Sequence, residues 1–412
     1  MSVFRPFRAV RPKKEFAPLV AALPYDVMNS DEARQKVKGC PYSFIHVDKA
    51  EVDLPEDTYL YSDKVYEKAA ENLKRLSCEG ICQKDEKPCF YIYRQIMGDV
   101  CQTGLAGCAG VDDYLENVIK KHEFTRADKE EDRIRHVDTC DANTGPIFLA
   151  YRRNAVIDGI IDKYTVLEPE YDFISEGDVR NLVWVISDEA DNAEISSAFG
   201  DIDSLYIADG HHRAASAVKV ALKRREQNPG FTGDEEFNFF LAVAFRAEEL
   251  RIMDYNRLIK DKNGLSDEEL FERLGKVFIV EEKASAVKPE KRHSFGFYCN
   301  GKWYLLTLRD GLCNESDVLE SLDVSILQKY VISDIFGISD PRTDKRIDFV
   351  GGIRGLKELE RRCSEDMEIA ISMYPTSLTE LMAIADSGQV MPPKSTWFEP
   401  KLLSGLFIHE LK

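Results

Sequence analysis

Four apolar residues, Leu205-Tyr206-Ile207-Ala208, stand directly before Asp209-Gly210, and Arg213 to Lys223 after them is rich in Ala, Val, Leu and Lys with no Gly or Pro. That pattern predicts a short buried strand, a sharp turn and a helix. The rest of the chain reads around this unit. Tyr61 to Glu79 places Val65, Ala69, Leu73 and Leu76 on one face, an amphipathic helix closed by Gly80. Phe90 to Arg94 predicts a strand, and the Gly-rich apolar run Gln102 to Val111 a partner for it across Met97-Gly98-Asp99. Lys129 to Val137 reads as a charged helix. Further strands are expected at Ile147 to Tyr151, within Asp158 to Tyr171, at Val179 to Ser187 and at Phe237 to Arg246. Before all of these, Pro6, Pro12, Pro18 and Pro24 exclude a long helix from the first thirty residues.

Asn263-Gly264 marks a boundary. Ser266-Asp267-Glu268-Glu269 beyond it has the spacing of a capping box, and Ser377-Leu378-Thr379-Glu380 repeats it. Phe295 to Cys299, Asn300-Gly301 and Lys302 to Leu308 give the strongest hairpin signal in the chain. Arg251 to Arg257 reads as a loop or edge strand, Leu322 to Phe336 as a helix, and Ile347 to Val350 and Met367 to Met373 as strands. The expected fold is α/β: a mixed-sheet domain over residues 1–264 and an α+β part over 265–412 whose tail folds back on the first.

Composition narrows the class. With 412 residues, 44% hydrophobic and 31% charged, the chain has the profile of a globular protein with substantial cores. No apolar run approaches a membrane span, and Met1 to Pro12 lacks the apolar stretch of a secretory signal. The ten cysteines form no paired C-x-x-C units, which reads as reduced thiols in a cytoplasm. A net charge of −18 argues against nucleic-acid partners, though a local basic pocket for a small anion stays compatible with it.

The candidate chemistry starts at the turn. A helix start has unpaired N–H groups and a dipole that favours an anion. Arg213 can grip phosphate bidentately, His211 and His212 add cationic character, and Gly210 admits close approach. A phosphate site, most simply for a nucleotide, is expected at Asp209, Gly210, His211, His212 and Arg213. The competing readings are a plain helix cap at Asp209 and a metal site, the latter without H-x-x-x-H or C-x-x-C support. Asp26, after the Pro24-Tyr25 turn, is a candidate positioned carboxylate. Glu123, beside His122 and two lysines, is a candidate general base. Asn143 sits at a predicted turn edge. Lys394-Ser395-Thr396 after Pro392-Pro393 offers a cation and two hydroxyls on extended chain, but lacks the glycines of a P-loop.

Several of these stretches occur together and in order: Pro24-Tyr25-Asp26-Val27, His122-Glu123-Phe124-Thr125, Ala142-Asn143-Thr144-Gly145-Pro146-Ile147-Phe148, Ala208-Asp209-Gly210-His211-His212-Arg213, Asp254-Tyr255-Asn256-Arg257, Leu322-Asp323-Val324-Ser325-Ile326-Leu327 and the Met-Pro-Pro-Lys-Ser-Thr tail. In this the chain resembles the family called domain of unknown function 1015. The Gly210-His211-His212-Arg213 turn is also similar to the phosphate-binding turn of the ParB/sulfiredoxin superfamily, where sulfiredoxins carry Gly-Cys-His-Arg and ParB proteins Gly-Glu-Arg-Arg. His211 replaces the sulfiredoxin Cys, which speaks against sulfinic acid repair, and the acidic charge speaks against ParB-like action on DNA. The free serine kinases of that superfamily are the branch this turn resembles most. That resemblance implies a nucleotide-binding catalytic domain, ATP or ADP with Mg²⁺, and phosphorylation of free L-serine to O-phosphoserine. Asp209 to Arg213 would hold the phosphates, His212 would help neutralise charge, and Asp26 or Glu123 would take the hydroxyl proton. Asn143, Lys394, Ser395 and Thr396 are the expected groups for the amino acid or the nucleotide. A nucleotide hydrolase and a nucleotide-binding regulator are the alternatives.

Overall fold

The computed structural model describes residues 2–125 and 127–412. It is a mixed α/β structure that divides into two compact units. The first comprises Met1–Lys121, Thr125–Leu250 and Pro400–Lys412, and the second His122–Phe124 and Arg251–Glu399.

A mixed sheet, nine-stranded among the described residues, is the frame of the first unit. Its strands run in the order Ile119–Lys120, Leu205–Asp209, Ile147–Tyr151, Phe239–Arg246, Val100–Gly110, Phe90–Met97, Val179–Ile186 and Tyr171–Ser175, and Phe4–Arg5 pairs with Val100–Gly110 off this path. Two pairings are parallel, Leu205–Asp209 with Ile119–Lys120 and Phe239–Arg246 with Ile147–Tyr151. The expected hairpin forms with Tyr91 opposite Ala106. Its Gly richness has a steric cause, because a Cβ on Gly107 would fall 2.6 Å from the Phe90 ring and 2.8 Å from that of Phe4.

Alternate strand residues such as Leu205 and Ile207 join one hydrophobic cluster with Ala214, Val218 and Phe199 from the helices His211–Gln227 and Glu189–Gly200. Each such buried Leu, Ile or Phe contributes about 1.5–3 kcal/mol. Tyr91 and Tyr93 stand elsewhere in the alternation and meet Phe407 of the C-terminal segment, ring centroids 5.1 and 6.0 Å away. That segment is woven into the unit by its backbone. Ser404 pairs with Ala22, Ile408 with Val10, and His409–Glu410 with Ala142–Asn143.

One expectation for this unit is corrected. Asp158 to Tyr171 is not strand throughout: Ala155–Thr165 is a helix, and strand begins only at Tyr171. Asn154 caps it by accepting the N–H groups of Val156 and Ile157. Its buried residues Ile157, Ile160 and Ile161 follow the i, i+3, i+4 spacing of a helix. Their β-branched character favours strand locally, and packing overrides it.

The second unit holds an antiparallel sheet in the order Phe278–Lys283, Lys302–Leu308, Ser294–Cys299, Ile369–Ser372, Tyr255–Ile259 and Ile347–Gly351. Both capping boxes form, at the helices Asp267–Val277 and Leu378–Asp386. Two expectations are corrected here. Tyr255–Ile259 is an interior strand rather than a loop or edge, bonded on one side to Ile347–Gly351 and on the other to Ile369–Ser372. The helix expected over Leu322 to Phe336 is α-helical only at Asp323–Leu327 and widens into π-helix at Gln328–Ser333. Among the described residues no helix is long and apolar enough to cross a membrane.

Candidate functional site

The strand Leu205–Asp209 ends where Gly210 turns the chain into the helix His211–Gln227 with φ 92°. That conformation is left-handed and favours glycine. A Cβ at Gly210 would sit 3.1 Å from Arg213 Nε and 3.2 Å from its Cζ, so the guanidinium would have to shift to admit one. The turn therefore lets the Arg213 guanidinium fold back over the backbone. No side chain caps this helix start.

Arg213 is held from two sides. Its Nη2 donates to Asp209 Oδ2 at 2.9 Å and its Nη1 to the carbonyl of Pro146 at 2.6 Å. Its Nε, buried, has no hydrogen-bond partner among the described residues. Asp209 also receives Lys401 Nζ at 3.3 Å on its other oxygen. Burial disfavours the Asp209 carboxylate, but Lys401 and Arg213 outweigh it and hold the carboxyl well below its usual range, at about 2. Burial likewise disfavours the Arg213 cation, and Asp209, Asp26, Tyr25 and Asp48 reverse that and keep it charged. One carboxylate thus sits between two cations at a helix N-terminus, and the balance stays positive.

Lys401 is positioned from behind. Gln102 Nε2 donates to the Pro400 carbonyl at 3.1 Å, and Gln95 Nε2 to the Lys401 carbonyl at 3.0 Å. A third bond, Gln102 Nε2 to Gln95 Oε1 at 2.9 Å, ties the two amides together. Both glutamines are fully buried in the central strands.

Arg213 lines a cleft together with Tyr25, Asp48, Arg133, Asn143 and Thr144. Arg133 stacks over the Tyr25 ring at 4.1 Å and pairs with Asp132 at 2.9 Å. Asp48, buried, is pushed up by desolvation, and hydrogen bonds from Ser404 and Thr144 with the charge of Arg133 work against that. Thr144 Oγ1 donates to it at 3.1 Å. His136 lines the same cleft with Nε2 3.0 Å from the Val47 carbonyl, and burial lowers it to about 4. It is neutral at pH 7.

The residues expected from sequence are distributed as follows. Asp209, Gly210, His211, His212 and Arg213 form one turn, with His211 buried and His212 half-buried. His212 lies close enough to Glu130 to favour its carboxylate. Asp26 is exposed on the short helical turn Tyr25–Val27 and acts electrostatically on Arg213. Asn143 is at the cleft, but its Oδ1 accepts the Leu241 N–H at 3.2 Å and meets His409 Nδ1 at 3.1 Å. Glu123 belongs to the second unit, and so do Lys394, Ser395 and Thr396. That last stretch is not extended, as expected, but turned: Lys394 has φ 60° and Ser395 Oγ donates to the Pro392 carbonyl at 2.6 Å. Thr396 Oγ1 lies 3.5 Å from His122 Nε2. Lys401, Asp48 and Arg133 escaped the sequence reading of the site. Lys401 carried one signal, its place in the Pro-rich tail, whereas Asp48 and Arg133 stand in helices with nothing to mark them.

Solved structures similar to this chain include a free serine kinase mutant in complex with ADP, at 15% identity over 74% of this chain and 87% of that one, with a TM-score of 0.36. Others are a conserved hypothetical protein from Pyrococcus furiosus, at 16% over 73% and 93% with 0.36, and C-terminally truncated SbnI from Staphylococcus aureus, at 11% over 73% and 85% with 0.38. No curated protein matches the chain. A family model described as protein of unknown function (DUF1015) matches residues 4–325, well over half of the sequence, and the chain belongs to that family.

Proposed function

We propose that the first unit is a nucleotide-binding domain of the ParB/sulfiredoxin pattern, and that the protein is a nucleotide-dependent kinase of a small hydroxyl substrate, with free L-serine the first acceptor to test. The observation that carries this is Arg213. It is charged, it lines the cleft at an uncapped helix start, and its buried Nε is unspent. A phosphate oxygen supplies what that donor lacks. The positive balance left by Asp209, Arg213 and Lys401 suits a phosphoryl group better than a neutral ligand, and phosphoryl transfer asks mainly for positioning and charge neutralisation.

In this reading the serine hydroxyl oxygen attacks the terminal phosphorus of ATP or ADP, its proton passes to Asp26, and ADP or AMP leaves. A positioned base of this kind is worth about 10²–10⁴-fold. Among the described residues the cleft offers no cage for Mg²⁺: Asp209 is neutralised by two cations, and Asp48 is hydrogen-bonded and driven toward its protonated form. Any Mg²⁺ would arrive on the nucleotide phosphates, and no step here depends on a protein-held ion.

The test is a product assay on the full chain with Mg²⁺, L-serine and ATP or ADP in turn, read by mass spectrometry. O-phosphoserine in the wild type and its loss in Arg213→Ala are expected. Steady phosphate release without phosphoserine would overturn the kinase in favour of a hydrolase, and tight nucleotide binding without turnover would favour a regulator.

A further inference from the structure

A second group of chemically apt side chains lies in the second unit, on the hairpin rather than at the turn. His293 stands directly before the strand Ser294–Cys299, and the hairpin register puts its carbonyl on the Leu308 N–H at 2.9 Å. The chain leaving Leu308 forms no helix or strand over residues 309–322. It carries Cys313 and Glu315 back onto the His293 ring. Cys313 Sγ is 3.9 Å from His293 Nε2, and Glu315 Oε1 is 3.4 Å from His293 Nδ1. One ligand atom from each of the three lies within 4.8 Å of the others.

Asp323 supplies the independent observation. Its side chain is 8% exposed, its Oδ1 accepts the His293 N–H at 2.8 Å and lies 3.9 Å from His293 Nε2. Its Oδ2, buried, has no hydrogen-bond partner among the described residues. A role in fixing the His293 backbone accounts for the first oxygen and leaves the second unexplained. A buried carboxylate oxygen is costly unless something positive meets it.

We propose that His293, Cys313, Glu315 and Asp323 form a binding site for a divalent transition metal, with Zn²⁺ the ion the donors suit best. A thiolate, an imidazole and carboxylates are the borderline-soft set that zinc takes in tetrahedral sites. Bonds of about 2.0–2.3 Å put neighbouring tetrahedral ligands about 3.3–3.7 Å apart, and Cys313 Sγ and Asp323 Oδ1, each 3.9 Å from His293 Nε2, stand close to that span. Cys313 Sγ and Asp323 Oδ1 both face His293 Nε2, so that nitrogen is the one offered to the metal, in place of its 3.2 Å contact with the Ser321 carbonyl. Glu315 is 62% exposed and gives the ion a way in. The consequence is structural: the ion would staple the irregular stretch 309–322 to the hairpin and to the helix Asp323–Leu327. This inference is independent of the kinase reading.

Cobalt tests it with a readout other than activity. The full-length protein, stripped with chelator and kept reduced, is titrated with Co²⁺. The expected result is one equivalent bound with a thiolate-to-cobalt charge-transfer band and intense visible bands of tetrahedral cobalt, displaced by Zn²⁺. Cys313→Ser and His293→Asn should abolish the charge-transfer band, Asn being chosen because His293 has φ 63° and Asn tolerates that conformation. Cys363→Ser, a half-buried thiol elsewhere in the unit, should leave it unchanged. Glu315→Gln, at an exposed position that folding tolerates, should weaken Co²⁺ at least tenfold. Absence of the band in the wild type, or its persistence in Cys313→Ser, or equal affinity in Glu315→Gln and Asp323→Asn, would overturn the site.

Discussion

Lys401 Nζ lies 3.3 Å from Asp209 Oδ1, although 192 positions separate the two residues. With Arg213 on the other oxygen, Asp209 holds the two cations at the helix start. The side chains of Lys401 and Arg213 are only 10% and 12% exposed. Asp209→Asn would leave two poorly solvated cations facing each other, a loss of about 3 kcal/mol. The pH dependence has a definite sign. Because the Asp209 carboxyl is lowered in the folded state, its contribution is complete above about pH 4 and is lost as pH falls through about 2. Urea unfolding from pH 7 to pH 2 should show the wild type losing this increment in that window, and Asp209→Asn starting lower and running flatter. Equal stability of the two proteins at pH 7 would contradict the arrangement.

Gly210→Ala tests the turn. The substitution meets a left-handed φ and drives a methyl against the Arg213 guanidinium. Strain of this kind costs about 1–3 kcal/mol, and displacement of Arg213 should weaken ADP or AMP at least tenfold by calorimetry. Gly230→Ala is the control, because no atom lies within 4 Å of the added Cβ and its φ is not left-handed. There, stability should hold or rise and binding should not change.

How far the sequence carried the reading follows from how local each signal is. The strand, glycine and helix at 205–227 were legible because every determinant lies within a few residues: an apolar run, a glycine in a left-handed turn and a helix-forming tail. The hairpin at Asn300-Gly301 was legible for the same reason. Lys401 was not, because its place depends on Gln95 and Gln102 holding its peptide from the middle of the sheet. Asp48 and Arg133 were hidden similarly, as polar residues whose burial depends on partners far along the chain. Ile160 and Ile161 were misread because their β-branched character spoke for strand while their spacing from Ile157 spoke for helix, and the core selects the spacing.

His136 gives a pH prediction of its own. Burial, reinforced by the Arg133 charge and only partly opposed by the Val47 carbonyl, lowers it to about 4. The neutral ring is therefore what the fold accommodates, and its contribution is complete above about pH 6.5 and is lost as pH falls toward 4. The difference from the ordinary histidine value corresponds to about 3 kcal/mol. His136→Gln can keep a donor for the Val47 carbonyl without titrating. The variant should lose less stability than the wild type between pH 7 and pH 4, measured by urea midpoints at each pH. Parallel profiles would mean that the ring is protonated in the folded protein.

Asp26 is the residue on which the proposed chemistry and the proposed binding part company. Its carboxylate is exposed on the Tyr25–Val27 turn, and it helps keep Arg213 charged without bonding to it. Asp209 is neutralised and Asp48 is hydrogen-bonded by Thr144, and Asp26 follows Tyr25, which lines the cleft, so Asp26 is the first carboxylate to test as the proton acceptor. Asp26→Asn preserves the shape of the turn and removes the acceptor. The fold should be undisturbed, because an exposed side chain of this kind contributes within about 0.5 kcal/mol. Nucleotide affinity should change little, since the phosphate donors are untouched. The turnover number for phosphoserine should fall by about 10²–10⁴-fold, and the KM for nucleotide should stay close to that of the wild type. Measuring turnover, KM and nucleotide Kd on the same preparation separates the cases. Equal loss of Kd and turnover would make Asp26 a binding residue, and unchanged turnover would move the base elsewhere in the chain, with Glu123 the next residue to replace.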